Sequence, residues 1–196
     1  MNHKRLRILL WVLVAIAAVG GVMLAMQKPS PGTKEESLAT IGGPFILTGS
    51  DGKPFNSTRL NGKPAALFFG FTHCPDVCPT TLARLVKLRR QLGQGDEAMS
   101  ILFVTVDPER DGPAEVGSYA SLFGAPVTGL TGSVADIERV KKQFGVFSQK
   151  VEQPGGEYSV DHTATTFLMD RNGHFVATLS PEENDKVALE KLKQLG

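Results

Sequence analysis

Between residues 65 and 92 the chain reads AALFFGFTHCPDVCPTTLARLVKLRRQL, and no other stretch restricts the fold so tightly. The unbroken apolar run Ala65 to Phe69 has the pattern of a strand buried on both faces in a parallel sheet. Leu82, Leu85, Val86 and Leu92 then recur at helical spacing. The chain's only two cysteines, Cys74 and Cys78, fall at the handover. That is the end of an open α/β sheet where ligands bind.

The flanking segments supply the rest of such a sheet. Residues 42–55, GGPFILTGSDGKPF, read as a short hairpin turning at Asp51-Gly52, with Phe45 and Leu47 facing inward. Asn61-Gly62 marks a turn before the central strand, and the cysteine helix should stop near Gly93. Ile101 to Val106 is a second continuous strand, ending at Asp107-Pro108. Pro113 can open a helix whose apolar face takes in Val116, Tyr119 and Leu122. A short strand near Val127 follows, and Ser133 caps a helix through about Phe144. Residues 147–151 and 158–160 flank a Pro-Gly-Gly tip as a hairpin or long loop. Strands at 165–169 and 175–179 turn at Asn172-Gly173. A last helix over 181–195 offers Val187, Leu189 and Leu192 to the core. The order predicts a thioredoxin-like α/β sandwich, a central mixed sheet flanked by helices.

The chain's start predicts an export signal. Lys4, Arg5 and Arg7 precede Ile8 to Met26, which holds no charged residue. At about 1.5 Å per residue that run just crosses a hydrocarbon core of about 30 Å. It is long for a cleavable signal peptide and lacks a clean small-residue cleavage site. Residues 1–27 therefore read as a cytoplasmic tip and one transmembrane anchor, and 28–40 as a polar tether with two prolines. Residues 41–196 form the folded domain. The leading cations place that domain outside the inner (cytoplasmic) membrane, on the periplasmic or extracytoplasmic side. A net charge of +1 over 196 residues, with no basic block in the globular part, argues against nucleic acid as a partner.

Two cysteines are too few for a disulfide scaffold. Pro79 fits the first helical turn, which puts Cys78 at or near the N-cap, where the helix dipole should lower its pKa. A spacing of three intervening residues lets the two sulfurs meet as a disulfide or as two ligands of one metal. Redox enzymes of the thioredoxin fold carry Cys-x-x-Cys here, one residue shorter. They also commonly carry a proline facing the cysteines where this chain has Ala164. Two residues before Ala164 stands His162, which that architecture brings against the thiols. Two thiolates and an imidazole form a soft donor set. Structural zinc wants a fourth protein ligand and iron–sulfur clusters four cysteines, which leaves copper as the best candidate. His73 competes with His162 for the third position. His174 and His3 have no evident role. Asp107 and Asp161 are candidates to hold the imidazole from behind, although Asp107-Pro108 and Asp111-Gly112 are also ordinary turn sequences.

Four stretches, GGPF (42–45), FFGFTHCPDVCPTTL (68–82), VDPERD (106–111) and YSVDHTA (158–164), resemble in order and spacing the Sco/SenC family of membrane-anchored copper chaperones. The resemblance runs from about Ile41 to the C-terminus. It implies copper ligands at Cys74, Cys78 and His162, a supporting aspartate at Asp107, and delivery of copper to the CuA site of a cytochrome c oxidase subunit. Other copper-delivery proteins are further expected partners. Gly49 and Gly112 depart from residues common in the family and touch no implied ligand. Two metal-free readings stay open beside it: a thiol–disulfide oxidoreductase acting through Cys74 and Cys78, and a peroxide-reducing or redox-sensing domain.

Overall fold

A computed structural model describes residues 11–14, 16, 41–60 and 62–195. Residues 11–14 and 16, from the expected anchor, are helical; the rest of the 8–26 run and the tether lie outside the described residues. Among the described residues no helix is long and apolar enough to cross a membrane. One compact unit runs from Thr40 to Gly196.

Strands β1 (Ile46–Gly49) and β2 (Pro54–Asn56) form the first hairpin. Then come β3 (Ala65–Gly70), α1 (Val77–Gln91), β4 (Ser100–Thr105), α2 (Pro113–Ser121), β5 (Thr128–Thr131) and α3 (Val134–Phe144). The chain finishes with β6 (Ser148–Glu152), β7 (Tyr158–His162), β8 (Thr166–Met169), β9 (Phe175–Leu179) and α4 (Asp185–Lys193). Seven strands make one sheet in the order β2-β1-β5-β4-β3-β8-β9. β3, β4 and β5 are mutually parallel, and β8 runs antiparallel against β3. The architecture is a thioredoxin-like α/β sandwich on a mixed sheet. All six residues of β3 are buried, as a central strand covered on both faces requires.

Local chemistry sets the element ends. The Ser133 hydroxyl accepts the Asp136 N–H at the start of α3, and Gly145 closes it in the left-handed region at φ 67°. Gly129 has no Cβ because one would sit 2.5 Å from the Val116 carbonyl oxygen, so α2 packs directly on β5. Two expected core residues lie outside the core. Leu122 is 75% exposed because α2 ends at Ser121 and Leu122 is its C-cap; Val187 is 49% exposed while Ala188 and Leu192 carry the buried face of α4. Residues 148–162 form a separate two-stranded ribbon, β6 with β7, outside the main sheet.

Candidate metal centre

β3 delivers the cysteine loop to the carboxyl edge of the sheet. Gly70, its last residue, must lack a side chain: a Cβ there would lie 2.8 Å from Cys78 Sγ and 3.0 Å from the Phe103 ring. The chain turns at Phe71, whose carbonyl accepts the Cys74 N–H at 3.2 Å. Helix α1 begins at Val77 with Asp76 as its N-cap. Cys78 is therefore inside the first turn, two residues past the N-cap, where Pro79 had placed it at or near the cap itself.

That shift bears on which sulfur carries charge. The Cys78 N–H points back and donates to Cys74 Sγ at 3.4 Å. Cys74, half-buried, is pulled down to about pKa 4, first by the hydrogen bond from the Cys78 thiol and further by His162 and by the Cys78 and Asp76 N–H groups, against the opposing effect of burial. Cys78 is fully buried; its pairing with Cys74 and its burial push its thiol up. The expectation that Cys78 is the activated thiol is corrected: the helix N-terminus serves Cys74, and Cys78 keeps the proton.

His162 is the last residue of β7. Its Nδ1 is 3.0 Å from the Thr163 carbonyl, which can only accept, so Nδ1 donates there and Nε2 is the nitrogen turned toward the sulfurs. Nε2 lies 3.4 Å from Cys78 Sγ. Phe68 and Phe71 flank the imidazole edge to face, with centroids 6.1 and 5.8 Å away. One donor atom each from Cys74, Cys78 and His162 lies within 4.8 Å of the others. The cluster suits a soft, low-coordinate ion, because two sulfurs and one imidazole are all the donors it gathers among the described residues.

The other candidates take different places. His73 is exposed, with Nδ1 3.1 Å from Thr72 Oγ1 and 3.7 Å from Asp111 Oδ1, and it is outside the cluster. Asp161 is exposed and does not hold the imidazole. Adjacent residues on a strand face opposite sides, so a carboxylate beside His162 on β7 points away from it. The Thr163 carbonyl takes that role. Asp107 is buried but reaches the histidine only indirectly: it accepts from Arg110 Nε at 2.5 Å and from the Tyr158 hydroxyl at 3.0 Å. Tyr158 shares a face of β7 with His162, and the Arg110 guanidinium lies 3.6 Å over its ring while donating to its carbonyl. Tyr158 and Arg110 were invisible as site residues in the sequence; an arginine three residues after a strand-ending aspartate was the available signal. His174 lies beyond the turn after β8 against Asp170, away from the cluster.

Fold and cluster together define a thioredoxin-like domain that presents two thiols and an imidazole at its strand-to-helix turn. The chain belongs to the SCO1/SenC family, whose profile matches residues 33–196. It is similar to the mitochondrial protein SCO2 of Saccharomyces cerevisiae, 34% identical over 175 residues, covering 88% of this chain and 58% of that protein's length. The SCO2-like protein of Rickettsia prowazekii is 34% identical over 193 residues, 93% of this chain and 94% of that one. Among solved structures, Bradyrhizobium japonicum ScoI with copper bound superposes with a TM-score of 0.71 at 42% identity, covering 79% of this chain and 99% of that chain.

Proposed function

We propose that this domain binds one copper ion through Cys74 Sγ, Cys78 Sγ and His162 Nε2 and passes it to the dithiol of the CuA site of cytochrome c oxidase. The observation that carries this reading is the meeting of three soft donor atoms within 4.8 Å, one of them from a residue 84 positions further along the chain. Its support is threefold: the donor chemistry, family membership, and the copper in the similar Bradyrhizobium protein. In the same reading residues 8–26 anchor the domain, residues 28–40 tether it, and residues 41–196 work on the periplasmic side of the inner membrane.

Copper is cargo here, and the protein's part is to hold it and let it go. Cys74 is already a thiolate; Cys78 gives up its proton as the metal enters. An incoming thiolate of the recipient takes the open coordination position, and His162, a neutral donor on a separate ribbon, is the ligand released at least cost in charge. The two sulfurs then surrender the ion to a site richer in thiolates.

Metal content of the full-length, detergent-solubilised chain after reconstitution with Cu(I) tests this. Wild type should retain one copper per chain. His162→Ala should bind it far more weakly while Cys74 and Cys78 still titrate as two thiols. Unchanged copper retention in His162→Ala would favour the metal-free oxidoreductase instead.

A further inference from the structure

Asp111 is the one carboxylate in the molecule that combines complete burial with no Lys or Arg partner among the described residues. A buried carboxylate persists only if hydrogen bonds replace its water. Two of the three donors it gathers come from Thr72, 39 positions upstream. Asp111 Oδ2 accepts the Thr72 N–H at 2.9 Å and the Thr105 hydroxyl at 2.6 Å; Oδ1 accepts the Thr72 hydroxyl at 2.6 Å. Its carbonyl accepts the Thr131 hydroxyl at 2.6 Å, which fixes the residue against β5. An aspartate serving only its own Asp-Gly turn would cap N–H groups within that turn. This side chain leaves its turn and grips Thr72 twice, by backbone and by side chain, two residues before Cys74.

We infer that Asp111 is a positioning residue for the metal site: it fixes the Thr72–Cys74 loop so that Cys74 Sγ faces the Cys78 N–H and the imidazole. The inference rests on the copper reading for its role in metal uptake, and on geometry alone for the placement of Cys74. The chain of contact is short. Asp111 clamps Thr72, the Phe71 carbonyl beside it holds the Cys74 N–H, and Cys74 Sγ receives the helix N–H. Thr105, at the end of β4 and outside the cysteine loop, bonds the same carboxylate. The two threonines therefore separate positioning from mere support of a buried charge.

The test uses the full-length, detergent-solubilised chain with Asp111→Ala, Asp111→Asn, Thr72→Val and Thr105→Val. Two readouts are taken: Cu(I) affinity by competition with a chromophoric chelator, and metal-free ring closure after reaction with an aromatic disulfide. In the second, the Cys74 thiolate displaces one aryl thiolate to form a mixed disulfide. Cys78 then attacks Cys74 Sγ, closing the Cys74–Cys78 disulfide, releasing the second aryl thiolate and losing its proton to solvent. Asp111→Ala and Thr72→Val should weaken Cu(I) binding by about 10- to 100-fold, the usual effect of removing an outer partner of a metal ligand. They should also slow ring closure about tenfold or more, because the two sulfurs are no longer held in register. Thr105→Val should stay within about threefold on both readouts, and Asp111→Asn, which keeps the shape, should lie nearer wild type than Asp111→Ala. If Asp111→Ala does not fold, the Thr72 and Thr105 pair decides. Equal losses in both threonine variants, or none in Thr72→Val, overturn the positioning role. A wild type that closes its ring normally but takes up no copper sinks the copper reading while the ring-closure comparison still judges Asp111.

Discussion

The backbone N–H of Cys78 donates to the sulfur of Cys74 at 3.4 Å and adds to the hydrogen bond from the Cys78 thiol, which is the main reason Cys74 is the anion of the pair. Between about pH 4 and the ordinary thiol pKa the pair holds one proton, on Cys78, and one negative charge, on Cys74.

A pH dependence of folding follows for the reduced, metal-free domain. Between about pH 4 and an ordinary thiol pKa near 9.0, Cys74 is ionised when folded and protonated when unfolded. The unfolded chain binds the extra proton, so this group's contribution is complete above that window and is lost as pH falls through about 4. Cys78 acts the other way. Its raised pKa keeps it protonated in the fold, so its contribution is full below the ordinary thiol pKa and declines above it. Urea midpoints measured against pH should show a contribution from the pair that peaks near the ordinary thiol pKa. Cys74→Ser should remove the rising limb; a limb that persists in that variant would contradict the assignment.

Copper uptake should release about one proton per Cu(I) near pH 7, since only Cys78 has one to lose. Titration in weakly buffered solution, followed by a pH indicator, measures it. Release of two protons would mean that Cys74 is not a thiolate in the free protein.

Gly70 is fixed by packing rather than by backbone angle. Gly70→Ala brings a methyl to 2.8 Å from Cys78 Sγ and 3.1 Å from the Phe68 ring. Overpacking of this kind costs about 1–3 kcal/mol. Urea unfolding should show the loss, and Cu(I) affinity should fall with it because Cys78 is the atom displaced.

Tyr158→Phe removes one donor from the buried Asp107 carboxylate and should cost about 1 kcal/mol of stability. The larger effect should be on the metal: with β7 less firmly latched, Cu(I) affinity should drop severalfold while thiol reactivity stays as in wild type. Equal affinity in the two proteins would show that the Asp107–Arg110–Tyr158 cluster does not steady His162.

The sequence made the strand-to-helix handover legible because an all-apolar strand and an amphipathic helix leave strong periodic signals on either side of Cys74 and Cys78. It also made the hairpin at Asp51-Gly52 and the Ser133 cap legible, since each depends on neighbours in the chain. What stayed hidden depends on distant partners or on a small step of phase. Two residues of shift at the start of α1, with Asp76 as N-cap in place of Cys78, turned the Cys78 N–H toward the other sulfur. Strand alternation, which rules out Asp161 as the support of His162, could be applied only once residue 162 was known to lie on a strand. Asp111 looked like any aspartate before glycine, because nothing nearby reveals that its carboxylate bonds Thr72, 39 positions upstream.

The two sulfurs sit on the β3–α1 loop and the first helix of the main body, whereas the imidazole arrives on a ribbon of two short strands in which Val160 alone is buried. Opening such a ribbon takes far less free energy than unfolding the body. His162 can therefore draw away from the two sulfurs by a small local motion while the domain stays intact, and under the function proposed above release of the ion would not require the body to be destabilised.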